Sequence, residues 1–180
     1  MERSLSHIAL FAALIAVLGL VPKIDLLAGV PITAQSLGIM LCGTVLGARR
    51  GALAVLLFLL LVAIGLPLLA GGRGGLGVFA GPSVGFLLGF PVAAFVAGWV
   101  VERWRADVGL AALAGSVLGG IVVLYAFGIP GMALMLDKSM SEATLLMAPF
   151  LPGDAIKAVM AALVTRGLAR MRPGALLSRG

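Results

Sequence analysis

Two opposite charges stand three residues apart in the stretch from Pro149 to Ala158, as Asp154 and Lys157. The segment beyond them runs apolar through Val159, Met160, Ala161, Ala162, Leu163 and Val164. On a helix this spacing puts both charges on one face. At membrane depth an ionisable residue is a functional-site hypothesis by default, and a structural ion pair or helix cap is the plainer alternative. The other polar candidates are sparse. Gln35 carries both donor and acceptor, and with Thr33 it could equally cap the segment it opens. Arg73 sits in a Gly-rich loop from Gly65 to Pro82 with no acidic partner nearby in sequence. It could pair with an anionic group or be a solvated charge.

Enzymatic chemistry finds little to work with. The single histidine, His7, is far from these residues, and the single cysteine, Cys42, lies in an apolar run and reads as a small buried hydrophobe. No Cys/His cluster suggests a metal, and no motif suggests a cofactor. A Ser83 nucleophile with Lys157 as base is conceivable but ranks far below a binding role. The seven acidic residues stand mostly at loop ends, which leaves paired-carboxylate catalysis without a pair.

Composition says what must position these groups. Hydrophobic residues make up 62% of the 180, charged residues 11%, and mean hydropathy is +1.20. Soluble domains carry about 25% charged residues, so the chain reads as a polytopic, all-α integral membrane protein. Six helices are expected, at about 6–21, 34–46, 52–66, 82–101, 108–127 and 152–168, in one membrane domain over 1–180. The second is short for a span. Pro22 ends the first. Lys23 to Thr33, with Asp25, Gly29 and Pro31, is expected as a loop. Gly131 to Met147 has a polar centre, Asp137-Lys138-Ser139, and is expected as a loop with a short surface or re-entrant helix.

The net charge of +6 and pI near 10.8 do not indicate nucleic acid, because the basic residues are dispersed at the ends of apolar runs. They indicate topology instead. Arg3, Arg49, Arg50, Arg103, Arg105, Arg166, Arg170, Arg172 and Arg179 fall on one side; Lys23, Arg73 and Lys138 fall on the other. Nine against three puts both termini in the cytoplasm and Asp154 in the first turn of the last helix, at the outer end. Trp99 and Trp104, near the inner end of the fourth helix, read as interface anchors.

With these features the chain resembles the BioY family, the biotin-specific S components of energy-coupling-factor (ECF) vitamin transporters. The matching stretches are Val30 to Gly43, the turn from Gly47 to Ala52, the loop from Gly65 to Gly89, and Phe150 to Lys157, in the family's order. The family's Gly-Pro-Thr-Gly-Gly-Tyr stands here as Gly81-Pro82-Ser83-Val84-Gly85-Phe86, so no tyrosine hydroxyl is available at position 86. The resemblance implies a six-helix bundle in the cytoplasmic membrane with an outward-facing biotin site. It also implies partners: a transmembrane coupling subunit and ATPase subunits. The sequence has no phosphate loop of its own.

Biotin has two ureido N–H donors, a ureido carbonyl, an apolar ring and tail, and a carboxylate. Under the resemblance Asp154 could accept from a ureido N–H, and Lys157 could donate to a ligand oxygen or hold Asp154 in place. Gln35 and Thr33 could add polar contacts, and Arg73 could meet the carboxylate. Gly75 and its neighbouring glycines would let the loop close. Ser83, Phe79, Phe86 and Tyr125 complete the candidate set. Phe79 and Phe86 are as readily core, and Tyr125 as readily an interface residue. The family's coupling contact uses small residues on the first helix, where Ala9 and Ala13, and Ala12 and Ala16, are spaced i,i+4. Two alternatives stay open: an S component for another vitamin, which the 6% aromatic content disfavours for stacking ligands, or a membrane scaffold or channel subunit without a small-molecule site.

Overall fold

The computed structural model describes the backbone of residues 2–24, 30–105 and 107–179, with side chains from Ser4 onward. Asp25, Gly29 and the side chain of Arg3 lie outside the described residues. Among the described residues the protein is all-helical, and extended pairing is confined to two isolated bridges, Ile24 with Ile32 and Leu69 with Arg73.

The helices are α1 (Glu2–Leu18), α2 (Gln35–Leu46), α3 (Ala48–Ala63), α4 (Val84–Arg103), α5 (Val108–Val117), α6 (Leu124–Leu136), α7 (Met140–Met147) and α8 (Leu151–Met171). A π-helical segment, Leu118–Val123, joins α5 to α6 without a break, giving one 29-residue helix. Among the described residues, three helices are long and apolar enough to cross a membrane: Val84–Arg103, Val108–Leu136 and Met140–Met171. Ser4–Leu18 and Gln35–Leu46 are shorter apolar helices. At 12 residues α2 is only about 18 Å long at 1.5 Å per residue.

The stretch 131–147 differs from the expectation of a loop. Helix α6 runs through Pro130 to Leu136, and the polar triplet forms a turn instead of a long connection. Asp137 adopts φ +50° to end the helix, and Ser139 opens α7 with a capping box to Glu142. The Ser139 hydroxyl and N–H both donate to Glu142 Oε2, at 2.7 and 2.9 Å, and fix the turn. Through a 3-10 turn, Ala148–Phe150, α7 continues into α8.

Helix α4 is the centre of the bundle and packs against α2, α3, α5 and α6, while α8 lies against α5 and α2. Lipid offers no hydrophobic drive between helices, so close approach of small residues carries much of the packing. The α4–α6 crossing shows this directly. A Cβ built on Gly131 would lie 2.6 Å from the Cα of Gly85, so neither position tolerates a side chain without separating the helices. The end of the bundle at the α2–α3 turn is tied by polar bonds. The Ala48 N–H donates to Glu102 Oε1 at 2.9 Å, and the Ser178 hydroxyl donates to the Thr44 carbonyl at 2.6 Å.

Replacing Gly131 by Leu should wedge α4 from α6 and lower stability by about 1–3 kcal/mol, as overpacking does. The check is the melting temperature of the detergent-purified protein. An unchanged value would show that this crossing is not close-packed.

Candidate ligand-binding site

In the first turn of α8, Asp154 is 5% exposed and receives polar contacts from three helices. Lys157, one turn further on, donates from Nζ to Asp154 Oδ1 at 2.8 Å and to Ser36 Oγ of α2 at 2.9 Å. The Ser36 hydroxyl in turn donates to the same Oδ1 at 3.3 Å. From α6, the Tyr125 hydroxyl donates to Oδ2 at 2.8 Å. A buried carboxylate without such partners would be costly. Here a cation and two hydroxyls converge on it. Lys157 has three protons, and two are spent inside this network.

The network forms the polar end of a cavity of about 570 Å³, counting its open mouth. Phe86, Leu87 and Phe90 of α4, Leu124 of α6, and Met147 and Phe150 before α8 supply apolar walls. The π segment ends directly before Leu124 and Tyr125. The wider turn rotates the residues beyond it about the helix axis, and π segments are frequent at functional sites. Gly128 lies against the Phe86 ring, where a Cβ would collide with it, so the ring is set by the bare backbone behind it.

Of the candidate site residues, Asp154, Lys157, Gln35, Thr33, Arg73, Ser83, Phe86 and Tyr125 all line this cavity. Gly75 and Phe79 do not. Gly75 stands at φ +82° and donates its N–H to the Val62 carbonyl at 2.8 Å, anchoring the loop to the end of α3. Phe79 packs on the hydrophobic core from the 3-10 turn Leu76–Ala80.

Gln35 lines the cavity but its amide is committed elsewhere. Nε2 donates to the carbonyls of Ile15 at 3.2 Å and Leu68 at 3.0 Å, and Oε1 accepts from the Ala70 N–H at 3.0 Å. Only 2% exposed, it clamps the end of α1 to the Gly-rich loop. Thr33 accepts from the Gln35 N–H at 3.2 Å, in keeping with the capping alternative. The clamped loop is a small hairpin, Leu69 to Arg73, turned by Gly71 and Gly72 at φ +79° and +69°. Its Arg73 Nε donates to the Ala70 carbonyl at 3.3 Å, and the residue lines the cavity.

Ser83 differs from all of these. It occupies the N-cap position of α4, where serine ordinarily bonds the helix's free N–H groups, yet its side chain makes no cap bond. The hydroxyl is buried and has no partner among the described residues. It therefore keeps donor and acceptor capacity at the cavity wall. Ser36 is a site residue that the sequence candidates do not include. It neighbours Gln35, and the signal available is its place as a second polar residue at the start of a mostly apolar helix.

The chain belongs to the BioY family. The family's sequence profile matches residues 2–174. The chain is 57% identical to a biotin transporter BioY of Rhodobacter capsulatus over the full length of both. It is 44% identical to a probable biotin transporter BioY of Bacillus subtilis, covering 88% of this chain and 86% of that one. Among solved structures it resembles the S component for biotin from an ECF-type ABC transporter, with TM-score 0.89 and 30% identity, covering 94% of this chain and 92% of that one.

On α1 the fold separates the BioY-type small-residue pairs. Ala9 and Ala13 face outward, whereas Ala12 is buried at 3% and Ala16 packs against the core. Ala12 and Ala16 are therefore part of the α1 contact with its own bundle, and the expectation that all four form an external surface is corrected for that pair.

Removing Lys157 alone should leave an uncompensated buried carboxylate. Lys157→Ala is expected to lose about 3–5 kcal/mol, with much of it restored in the double variant that adds Asp154→Asn. Melting curves of the three proteins test this. Equal losses for the single and double variants would mean that the charge itself is not what Lys157 compensates.

Proposed function

We propose that this chain is the biotin-capturing membrane component of a biotin uptake transporter, working with an ECF coupling subunit and ATPase subunits that deliver the vitamin inward. It is a transporter subunit and not an enzyme. The observation that carries the reading is the cavity that joins a paired carboxylate and ammonium to an aromatic and aliphatic sleeve. Family membership and the likeness to biotin transporters and to a biotin S component support the choice of biotin.

The chemistry of the two ends fits. Three of the roughly four lone-pair directions of the Asp154 carboxylate are taken by Lys157, Ser36 and Tyr125. The remaining one on Oδ2 suits a ureido N–H. The third proton of Lys157 suits the ureido carbonyl. In this reading Lys157 takes both roles that the sequence left open, fixing Asp154 and offering its remaining donor to the ligand. The thiophane ring and tail would lie along Phe86, Leu87, Phe90 and Phe150, and the tail carboxylate would reach Arg73. Ser83 would give its unspent hydroxyl to a polar edge of the ligand. A mostly apolar pocket with a few placed polar groups is the usual design of a small-molecule site.

The same reading has six spans, with both termini in the cytoplasm and the cavity opening outward. The excess of Lys and Arg on the side of both termini supports that orientation. The short α2 would be accommodated within the bundle, and the protein would lie in the cytoplasmic membrane. Ala9 and Ala13, exposed one turn apart on α1, would form the close-approach face for the coupling subunit.

Biotin at a hundredfold excess over its Kd should stabilise the purified protein by about 2.7 kcal/mol, seen as a raised melting temperature. Asp154→Asn with Lys157→Ala should abolish that rise. A rise that survives in the double variant would exclude the pair from the site. In cells supplying the partner subunits, Ala13→Leu should reduce biotin uptake strongly while the isolated variant still binds biotin. Undiminished uptake would remove this face from coupling.

A further inference from the structure

A second groove lies at the opposite end of the bundle from the Asp154 cavity, between the first turn of α3 and the last turns of α4. Its walls include Arg49, Arg50, Phe95, Trp99, Glu102 and Arg103. Three guanidinium groups therefore surround it against one carboxylate. That carboxylate is already engaged, since Glu102 Oε1 accepts the Ala48 N–H at 2.9 Å. Arg50 bonds neutral oxygens, the Ser4 hydroxyl and the Leu177 carbonyl. The ion pairs Lys157 with Asp154 and Arg166 with Asp107 both lie outside this groove. The positive end of α3 and the negative end of α4 meet here and offset one another. The groove keeps a net positive charge, three guanidinium groups against one carboxylate.

The apolar side of the groove narrows the class of ligand. Leu88, Val92, Phe95 and Trp99 recur at helical spacing along α4 and are all exposed, Phe95 at 42% and Trp99 at 48%. On the neighbouring α3, Leu53, Leu56 and Leu60 form a second exposed stripe that begins one turn beyond Arg49. Both stripes run from the membrane-facing flank into the basic groove. A small soluble anion would use the guanidinium groups and leave the stripes unmatched. An amphiphile with an anionic head and apolar chains meets both. Basic pockets between helices at the cytoplasmic end of membrane proteins bind such headgroups, and a guanidinium fork matches phosphate oxygens in pairs.

We propose that this groove holds the headgroup of an anionic phospholipid, with its chains along the exposed faces of α3 and α4. Arg49 and Arg103 pair with the phosphate from two sides, and Trp99 sits at the glycerol level. The lipid would tie the α2–α3 turn to the end of α4, where Glu102 already caps α3. This site is independent of the biotin reading and rests on the bundle spanning a membrane with this end on the cytoplasmic side.

The test is native mass spectrometry of the detergent-purified protein with equimolar phosphatidylglycerol and phosphatidylcholine of identical chains. Retention of phosphatidylglycerol should exceed that of phosphatidylcholine by about tenfold. In Arg49→Gln with Arg103→Gln the preference should fall to within about twofold. Both side chains are exposed, and an unchanged melting temperature will confirm that the double variant folds. Arg105→Gln with Arg172→Gln, which removes two basic residues outside the groove, should keep the preference. The proposal is overturned if wild type shows no preference, if the Arg49/Arg103 variant keeps it, or if excess glycerol 3-phosphate displaces the lipid completely, which would make it a soluble-anion site.

Discussion

A buried carboxylate is the costliest group in this molecule, and much of the architecture around the cavity compensates for it. Asp154 stands in an apolar bundle with almost no contact with solvent. Its charge is balanced by Lys157 on its own helix and by hydroxyls from α2 and α6. Because the partners come from three helices, the carboxylate also fixes their relative placement. Moving α2 or α6 away would break one of these bonds and leave a nearly buried carboxylate short of a partner.

Two further devices keep that arrangement in place. Glycines at the α4–α6 crossing bring α6 close enough for Tyr125 to reach across the cavity, and the π segment ahead of it sets the rotation of the following turn. On the other side, Gln35 uses its whole amide to bind α1, α2 and the Gly-rich hairpin. That hairpin carries Arg73 to the cavity wall. Helix packing therefore sets the deep polar end, and a side-chain clamp on a loop sets the rim. Loops held on a rigid scaffold are where binding residues commonly lie.

The parts of this design differ in how well the sequence exposes them. Asp154 and Lys157 are legible because a charge inside an apolar run has few bland explanations. Ser36 is not, since an isolated serine at the start of a helix is ordinary until its neighbour across the bundle is known. Gln35 looks like a ligand contact in sequence because its partners, the backbone of Leu68 and Ala70, are over thirty residues away and backbone groups leave no mark in sequence. The two alanine pairs of α1 have identical spacing, and only the rotation of the helix about its axis separates the exposed pair from the one that packs inward. The region 131–147 misleads because one polar triplet looks the same as a loop centre and as a tight turn. Tyr125 could point outward into the interface on sequence grounds, and the π segment, marked only by Gly119 and Gly120, decides that it points in.

The paired charges, the apolar sleeve and the unspent hydroxyl of Ser83 describe a receptor for a small molecule with hydrogen-bonding groups at one end. The most direct measurement is mass spectrometry of the small molecules released when protein purified from biotin-supplied cells is denatured. Biotin is expected in near-stoichiometric amount from the wild type and is expected to be missing from the Asp154→Asn, Lys157→Ala double variant. A different molecule in the wild type, or biotin retained equally by both proteins, would contradict a biotin site built on this pair.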